Sequence, residues 1–332
     1  MQKLIDEEKK MNSYAKLRST FGFRSGMNGL SRVKNYFLRL DEINEWLDEM
    51  AAHFSFARVV SIGRTYEGRD TKALIIGSGK KPAIFIDSGI HAREWVSVST
   101  NLYLIYQLLA GYESMETRAL IDQYDWYFVP VANPDGYEYT HTHKRMWRKN
   151  RRPMRHCVGA DPNRNFDINF GGTGTSGDPC SDIYRGPHAF SEPCALNLAR
   201  FLLQLKNNNS KIKAYMSLHA YSQMWFTPYA YDRWLQPDDI AELKRVANIG
   251  ASAIYYTHGR RYTVGSPGEI LYEAAGSSMD WVKAKAHIKY SFAMEMRPDR
   301  YSYNGFIVPP SEIVPAGEEM FAGIKAMARE MR

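Results

Sequence analysis

The chain has 332 residues, 44% apolar and 24% charged, with a formal net charge of +7. That is enough for a large packed core, in one large domain or two ordinary ones, and the charge content is ordinary for a soluble globular protein. No window approaches the ~18 uninterrupted apolar residues of a membrane span, and the opening "MQKLIDEEKKMNSY" lacks the apolar stretch of a signal peptide.

In chain order, residues 1–11 are charged and helix-favouring. Residues 12–37 are basic, rich in Gly and Ser and without a sustained period, which reads as an exposed linker open to trypsin-like cleavage. Compact chain begins near Leu40, where Leu40, Ile43, Trp46, Leu47 and Met50 share one face of an amphipathic helix. "ARVVSIG", "TKALIIG" and "KPAIFID" are strand-like, with Gly-containing turns after the first two. Residues 94–111 suit a long helix, and "YDWYFVPVANPDG" a buried strand ending in a turn. Residues 141–191 are irregular, and a loop region this long in a compact domain is usually functional. A helix at about 191–206, the strand "IKAYMSLHAYS" and a helix near 238–255 follow. "SMDWVKAKA" reads as helix, "IKYSFAMEMR" as strand and "PSEIVPAGEEMFAGIKAMARE" as a closing helix. Strands separated by helices predict an α/β sheet covered on both faces, with ligand sites beyond the carboxyl ends of its strands.

Two of those ends carry chemistry. His91 and Glu94 follow "AIFID", and His219 follows "AYMSL". Two His and one carboxylate form a catalytic zinc set with water in the fourth position. Standing alone, each is more often a satisfied polar residue at a strand end than a ligand. Glu295 interrupts an apolar strand, where an unpaired carboxylate costs several kcal/mol. It is either paired, with Arg297 or a lysine, or faces a polar cavity as a general base toward metal-bound water. The stretch "HTHKRMWRKNRRPMRH" concentrates cations between His141 and His156. A solvated or nucleic-acid-binding face is one reading, without a recognition motif to accompany it. The other is a carboxylate clamp, because the forks of Arg145, Arg148 and Arg164 and the amide of Asn163 suit a planar anion. Cys157, Cys180 and Cys194 form no CxxC pair and allow a reduced chain or one disulfide with one free thiol. "NNS" at Asn208–Ser210 is a glycosylation sequon of low specificity.

"GIHAREW", "NPDGYEYT", "RMWRKNR", "CVGADPNRNFD", "YRGPHAFSE", "SLHAYSQ", "LYEAAGSSMDW" and "YSFAMEMR" occur in that order. Together they resemble zinc metallocarboxypeptidases of the pancreatic A/B type, over about residues 38–330. The resemblance implies one α/β catalytic domain over 38–332, a mixed eight-stranded twisted sheet with helices on both faces. It implies one zinc ion on His91, Glu94 and His219, with Glu295 as general base and proton shuttle and Arg148 polarising the scissile carbonyl. Asn163, Arg164 and Tyr272 would hold the terminal carboxylate, Arg93 and Tyr221 would line outer subsites, and Asp161 would orient His91. The implied activity is hydrolysis of C-terminal peptide bonds by Glu-assisted attack of zinc-bound water, on peptide or protein substrates with a free C-terminus.

Met279 stands where basic-specific members of that family have Asp. With Ala274, Ala275 and Ala293 beside it, this looks like an A-type pocket for aromatic or aliphatic residues. Glu269 and Glu273 nearby keep a B-type preference for Lys or Arg as an alternative. A related zinc amidohydrolase of acyl amino acids and a non-catalytic peptide-binding homologue are the others. The resemblance further implies a Cys157–Cys180 disulfide closing a loop of about 22 residues, worth roughly 3 kcal/mol, a free Cys194 and a secreted monomer without nucleic-acid or membrane partners. Residues 1–18 look like the last helix of the family's activation segment and 19–37 like a linker. A trypsin-like protease would cut after Arg18, with Arg24 and Arg32 as alternatives. A cis bond is expected at Arg297-Pro298. Ala220 stands where Ser is common beside the third ligand.

Overall fold

The computed structural model describes residues 1–22, 30–208 and 211–332. Its elements run α1 (Gln2–Gly22), α2 (Leu40–His53), β1 (Ala57–Arg64), β2 (Asp70–Ile76), β3 (Ala83–Ser88), α3 (Trp95–Ala110), α4 (Met115–Gln123), β4 (Asp125–Val129) and α5 (Pro134–Thr142). Then come α6 (Pro193–Asn207), β5 (Ile212–Ser222), β6 (Met224–Phe226), α7 (Ile240–His258), β7 (Thr263–Gly265), α8 (Pro267–Ile270), α9 (Ser278–Ala284), β8 (Tyr290–Asp299) and α10 (Ile313–Glu330). The strands form one eight-stranded sheet in the order β1-β2-β4-β3-β5-β8-β6-β7. Its middle is parallel, β4 with β3, β3 with β5 and β5 with β8, while β2 pairs antiparallel with β4 and β6 with β8.

Residue parity explains why both faces are covered. Ile84, Ile86, Phe128, Met216 and Phe292 enter one apolar layer, beneath α2, α3, α7 and α10. Their neighbours Phe85, Tyr127, Val129 and Tyr215 enter the other, beneath α6 and α9. Successive strand residues point to opposite faces, so a strand buried on both must be apolar throughout. In the topological order β3, β5 and β8 lie side by side, which puts the chain after β3 next to His219 and Glu295. Those two are register partners on β5 and β8.

Several elements differ from the sequence reading. The first helix runs on through Gly22 instead of stopping near residue 11. Among its described side chains the buried ones are polar, Glu8 and Ser19, so no apolar period marks them. Long-range bonds hold it instead: the Asn12 amide donates to the Phe37 carbonyl at 3.0 Å and accepts from the Phe37 N–H at 2.7 Å. Burial begins before Leu40, with Leu30, Val33, Tyr36 and Phe37 in the core. The chain after β4 is the helix α5, whose first turn is capped by the Asn133 side chain accepting from the Gly136 N–H. Sequence reading also passed over α4, and β6 and β7, three residues each, are too short for a period.

The basic stretch turns largely inward. Arg145 pairs with Glu8, Arg148 with Asp161, and Lys149 donates to the Pro179 carbonyl. The Cys157–Cys180 disulfide ties this region across 23 positions, and Cys194 is free and buried. Arg297-Pro298 is cis, as are Ala220-Tyr221 and Pro228-Tyr229. No helix among the described residues is long and apolar enough to cross a membrane. Arg24 and the end of the Asn208 sequon lie outside the described residues.

Candidate active site

The chain leaves β3 through Gly89 at φ +63°, where an added Cβ would lie 2.8 Å from Val98 Cγ2. Only glycine takes that backbone without strain. The tight exit brings His91 and Glu94 back over the strand ends. Glu94 directly precedes α3, yet its carboxylate does not cap the helix. Its Oε1 lies 2.8 Å from His91 Nδ1 and its Oε2 3.1 Å from His219 Nδ1. The two Nδ1 atoms are themselves 3.1 Å apart, and all three side chains are buried.

The outer ring nitrogens say which protons are where. His91 Nε2 faces Asp161 Oδ1 at 3.1 Å, and His219 Nε2 faces the Ser217 hydroxyl at 3.2 Å. With a proton on each Nε2, two bare nitrogens and a carboxylate converge on one point. Three acceptors aimed at each other repel unless a cation sits among them, and this donor set fits zinc. Burial alone would push Glu94 up, but His91 and His219 outweigh it and hold the carboxyl below its usual range.

Asp161 is the hub beside them. It accepts from Arg148 Nε at 3.0 Å, Arg148 Nη2 at 2.7 Å and the Asn163 N–H at 2.9 Å. Burial disfavours its charge, but Arg148, His91 and Arg164 prevail and keep it well below the carboxylate range. Arg164 is fixed by its own bonds to the Gly174 and Asn163 carbonyls, at 2.9 and 3.0 Å. The Asn163 side chain accepts from the Ser278 N–H at 2.9 Å. Gly276 makes this packing possible, since a Cβ there would sit 2.3 Å from the Arg164 carbonyl. Glu295 is different: its Oε2 is buried with no hydrogen-bond partner among the described residues. Burial first, then the charge of Glu94, pushes its carboxyl up to about 8.

An open cavity joins these groups, lined by His91, His219, Arg148, Asn163, Arg164, Tyr272 and Glu295. Its remaining wall is mostly apolar: Phe226, Ala230, Pro267, Leu271, Ala274, Met279 and Ala293, with Ser277 and Ser278. Ala275 is buried but not part of that wall. Glu273 pairs with Arg233, and Glu269 closes the first turn of α8 and approaches Lys244. Arg93 and Tyr221 are not cavity residues. They flank the Phe306 ring, the Arg93 guanidinium 4.3 Å and the Tyr221 ring 5.0 Å from its centre. Sequence reading missed Phe226, Leu271 and Ala230. Phe226 is the register partner of Ala293, so recognising β6 would have found it.

A model of the zinc carboxypeptidase family matches residues 43–323. Carboxypeptidase B of Astacus astacus is 42% identical over 294 residues, 87% of this chain and 94% of the relative. Carboxypeptidase A2 of Mus musculus is 40% identical over 298 residues, 88% of this chain and 70% of the relative. The solved carboxypeptidase A from Helicoverpa armigera superposes with a TM-score of 0.88 at 30% identity, covering 99% of this chain and 80% of its own.

Proposed function

Since the chain belongs to the zinc carboxypeptidase family and is thereby a metallocarboxypeptidase, we propose that it removes aromatic or aliphatic C-terminal residues from peptides at the cavity described. The observation that carries this reading is the convergence of His91 Nδ1, His219 Nδ1 and Glu94 beside a fixed Arg–Asn pair and the Glu295 carboxylate, whose Oε2 has no hydrogen-bond partner among the described residues. His91, Glu94 and His219 would hold the zinc. When bound, zinc supplies a Lewis acid that draws charge from a carbonyl oxygen and acidifies water.

The remaining work falls to side chains. Arg164, Asn163 and Tyr272 receive the substrate's terminal carboxylate, for which the planar fork of Arg164 is matched. An internal peptide would leave Arg164 desolvated without its anion, which accounts for an exopeptidase. Glu295 takes a proton from the attacking water and hands it to the departing amine. Arg148, braced by Asp161, meets charge that exists only in the tetrahedral state, an effect of roughly 3–4 kcal/mol for comparable oxyanion donors.

The apolar cavity wall supports the A-type preference, as does the engagement of Glu269 and Glu273 elsewhere. Similarity to a protein named carboxypeptidase B favours Lys or Arg instead. A basic side chain needs an acid in the wall, and among the lining residues the one carboxylate is Glu295. Release rates of C-terminal Phe, Leu, Arg and Glu from blocked dipeptides, with and without a zinc chelator, test both readings. Phe or Leu should lead, and Met279→Asp should shift preference toward Arg or Lys. An unchanged profile in that variant would mean that Met279 does not face the substrate side chain.

We also read residues 1–18 as part of an activation segment and place the protein in an oxidising, extracellular compartment. Supporting these are the docked α1, the exposed Arg18 within it and the disulfide.

A further inference from the structure

β3 carries a buried charge that the mechanism above does not use. Asp87 is fully buried in a strand whose preceding residues, Ala83, Ile84, Phe85 and Ile86, are all apolar. A carboxylate in such a place is costly unless hydrogen bonds answer it. Asp87 is the register partner of Ser217 on the parallel neighbour β5, and the two side chains share one face of the sheet. The Ser217 hydroxyl donates to Asp87 Oδ1 at 2.7 Å. The Ser217 hydroxyl oxygen also lies 3.2 Å from His219 Nε2, two residues along β5 on the same face.

We propose that Asp87 and Ser217 form a relay that orients His219 and fixes its tautomer, making both of them positioning residues for the metal site. This rests on the reading of His219 as a zinc ligand. For Nδ1 to keep its lone pair for a metal, Nε2 must carry the proton. That N–H donates to Ser217 Oγ, and the Ser217 O–H in turn donates to Asp87. The single hydroxyl proton is then committed to the carboxylate, which leaves the oxygen to accept from Nε2. His91 reaches its carboxylate, Asp161, directly at 3.1 Å, whereas His219 reaches one through a serine. The two ligands are thus supported by different carboxylates. Groups that hold a metal-bound imidazole typically contribute 10–100-fold in metal affinity.

Zinc affinity of the purified protein, measured by competition with a chromophoric chelator, tests the relay independently of turnover. Ser217→Ala should weaken zinc about 10–100-fold. Asp87→Asn, close in volume and still offering an acceptor oxygen, should weaken it less. The double variant should be no weaker than Ser217→Ala alone, because the second change acts through a link already broken. Ser88→Ala removes a buried hydroxyl from the same strand but the opposite face, and should keep wild-type affinity. The visible spectrum of the cobalt-substituted protein should change in Ser217→Ala and not in Ser88→Ala. Wild-type affinity in both relay variants, additive losses in the double variant, or an equal loss in Ser88→Ala would each overturn the proposal. Failure of the wild-type protein to bind zinc would instead overturn the functional reading beneath it.

Discussion

At the scale of single residues, the site works by giving similar groups unlike surroundings. Glu94 is buried between two imidazoles, whereas Glu295 is half-buried and its Oε2 has no hydrogen-bond partner among the described residues. Glu295→Gln should cut kcat/KM by about 10²–10⁴ while leaving zinc content unchanged, the range expected for a positioned base. Only the ionised form can accept a proton, so activity must rise with pH through the Glu295 value. Burial and the charge of Glu94 push that value up to about 8. A dication held by Glu94, as proposed, would draw it down, so the acidic limb of kcat/KM with zinc bound should lie below pH 8. Asp280 gives a different pH effect. Its carboxylate accepts from the Ala230 and Tyr231 N–H groups, and burial pushes it up to about 7 against their pull. A raised folded-state value stabilises the fold fully below the unfolded value of about 3.9, and this is lost as pH rises through 7. The fall in Tm between pH 5 and 8 should therefore be smaller in Asp280→Asn than in the parent.

At the scale of elements, α1 shows that a helix can be held without an apolar stripe. Arg145 donates to Glu8 at 2.6 and 2.9 Å, lies 3.7 Å over the Trp95 ring and donates to the carbonyls of Arg93 and Phe306. Removing one partner of such a buried pair costs about 3–5 kcal/mol, because the other charge is left behind. Arg18 is exposed but sits inside the helix, so a protease must first unwind it locally. Glu8→Gln should therefore speed tryptic cleavage after Arg18 by about tenfold or more, followed by N-terminal sequencing of the product. Equal rates would mean that fraying near Arg18, and not docking through Glu8, limits the cut. The same element explains a sequence miss. Residues 12–22 have no period because their anchors are single polar contacts such as Asn12 to Phe37 and Asn35 to Ser19.

At the scale of the molecule, the irregular region after α5 supplies Arg148, Asp161, Asn163 and Arg164, and the disulfide closes the part of it that holds the last three. Closing a loop of 23 positions stabilises by roughly 3 kcal/mol in the chain-entropy account. Mild reduction should lower Tm, measured calorimetrically with zinc held constant, and should weaken peptide hydrolysis if the Asp161 hub loosens with it. The sheet contributes differently. It fixes His219 opposite Glu295 and Ser217 opposite Asp87 by register, so a one-residue slip of β5 would send His219 and Ser217 to the wrong face, away from both partners.

The sequence by itself determined the α/β class, because the spacing of apolar residues is a local property that survives without neighbours. It also named His91, Glu94, His219 and Glu295, since polar residues in apolar strands and strand ends stand out, and the ordered motifs joined them. It could not show that β3, β5 and β8 lie side by side, which puts His219 against Glu94 across 125 positions. Nor could it show that Arg145 of the basic stretch faces Glu8 across 137. It missed Phe226 in a strand three residues long and the tie of Asp87 to Ser217. Those assignments depend on strand order, register and which partner neutralises a buried charge. They are long-range quantities, decided when the chain closes on itself and not before.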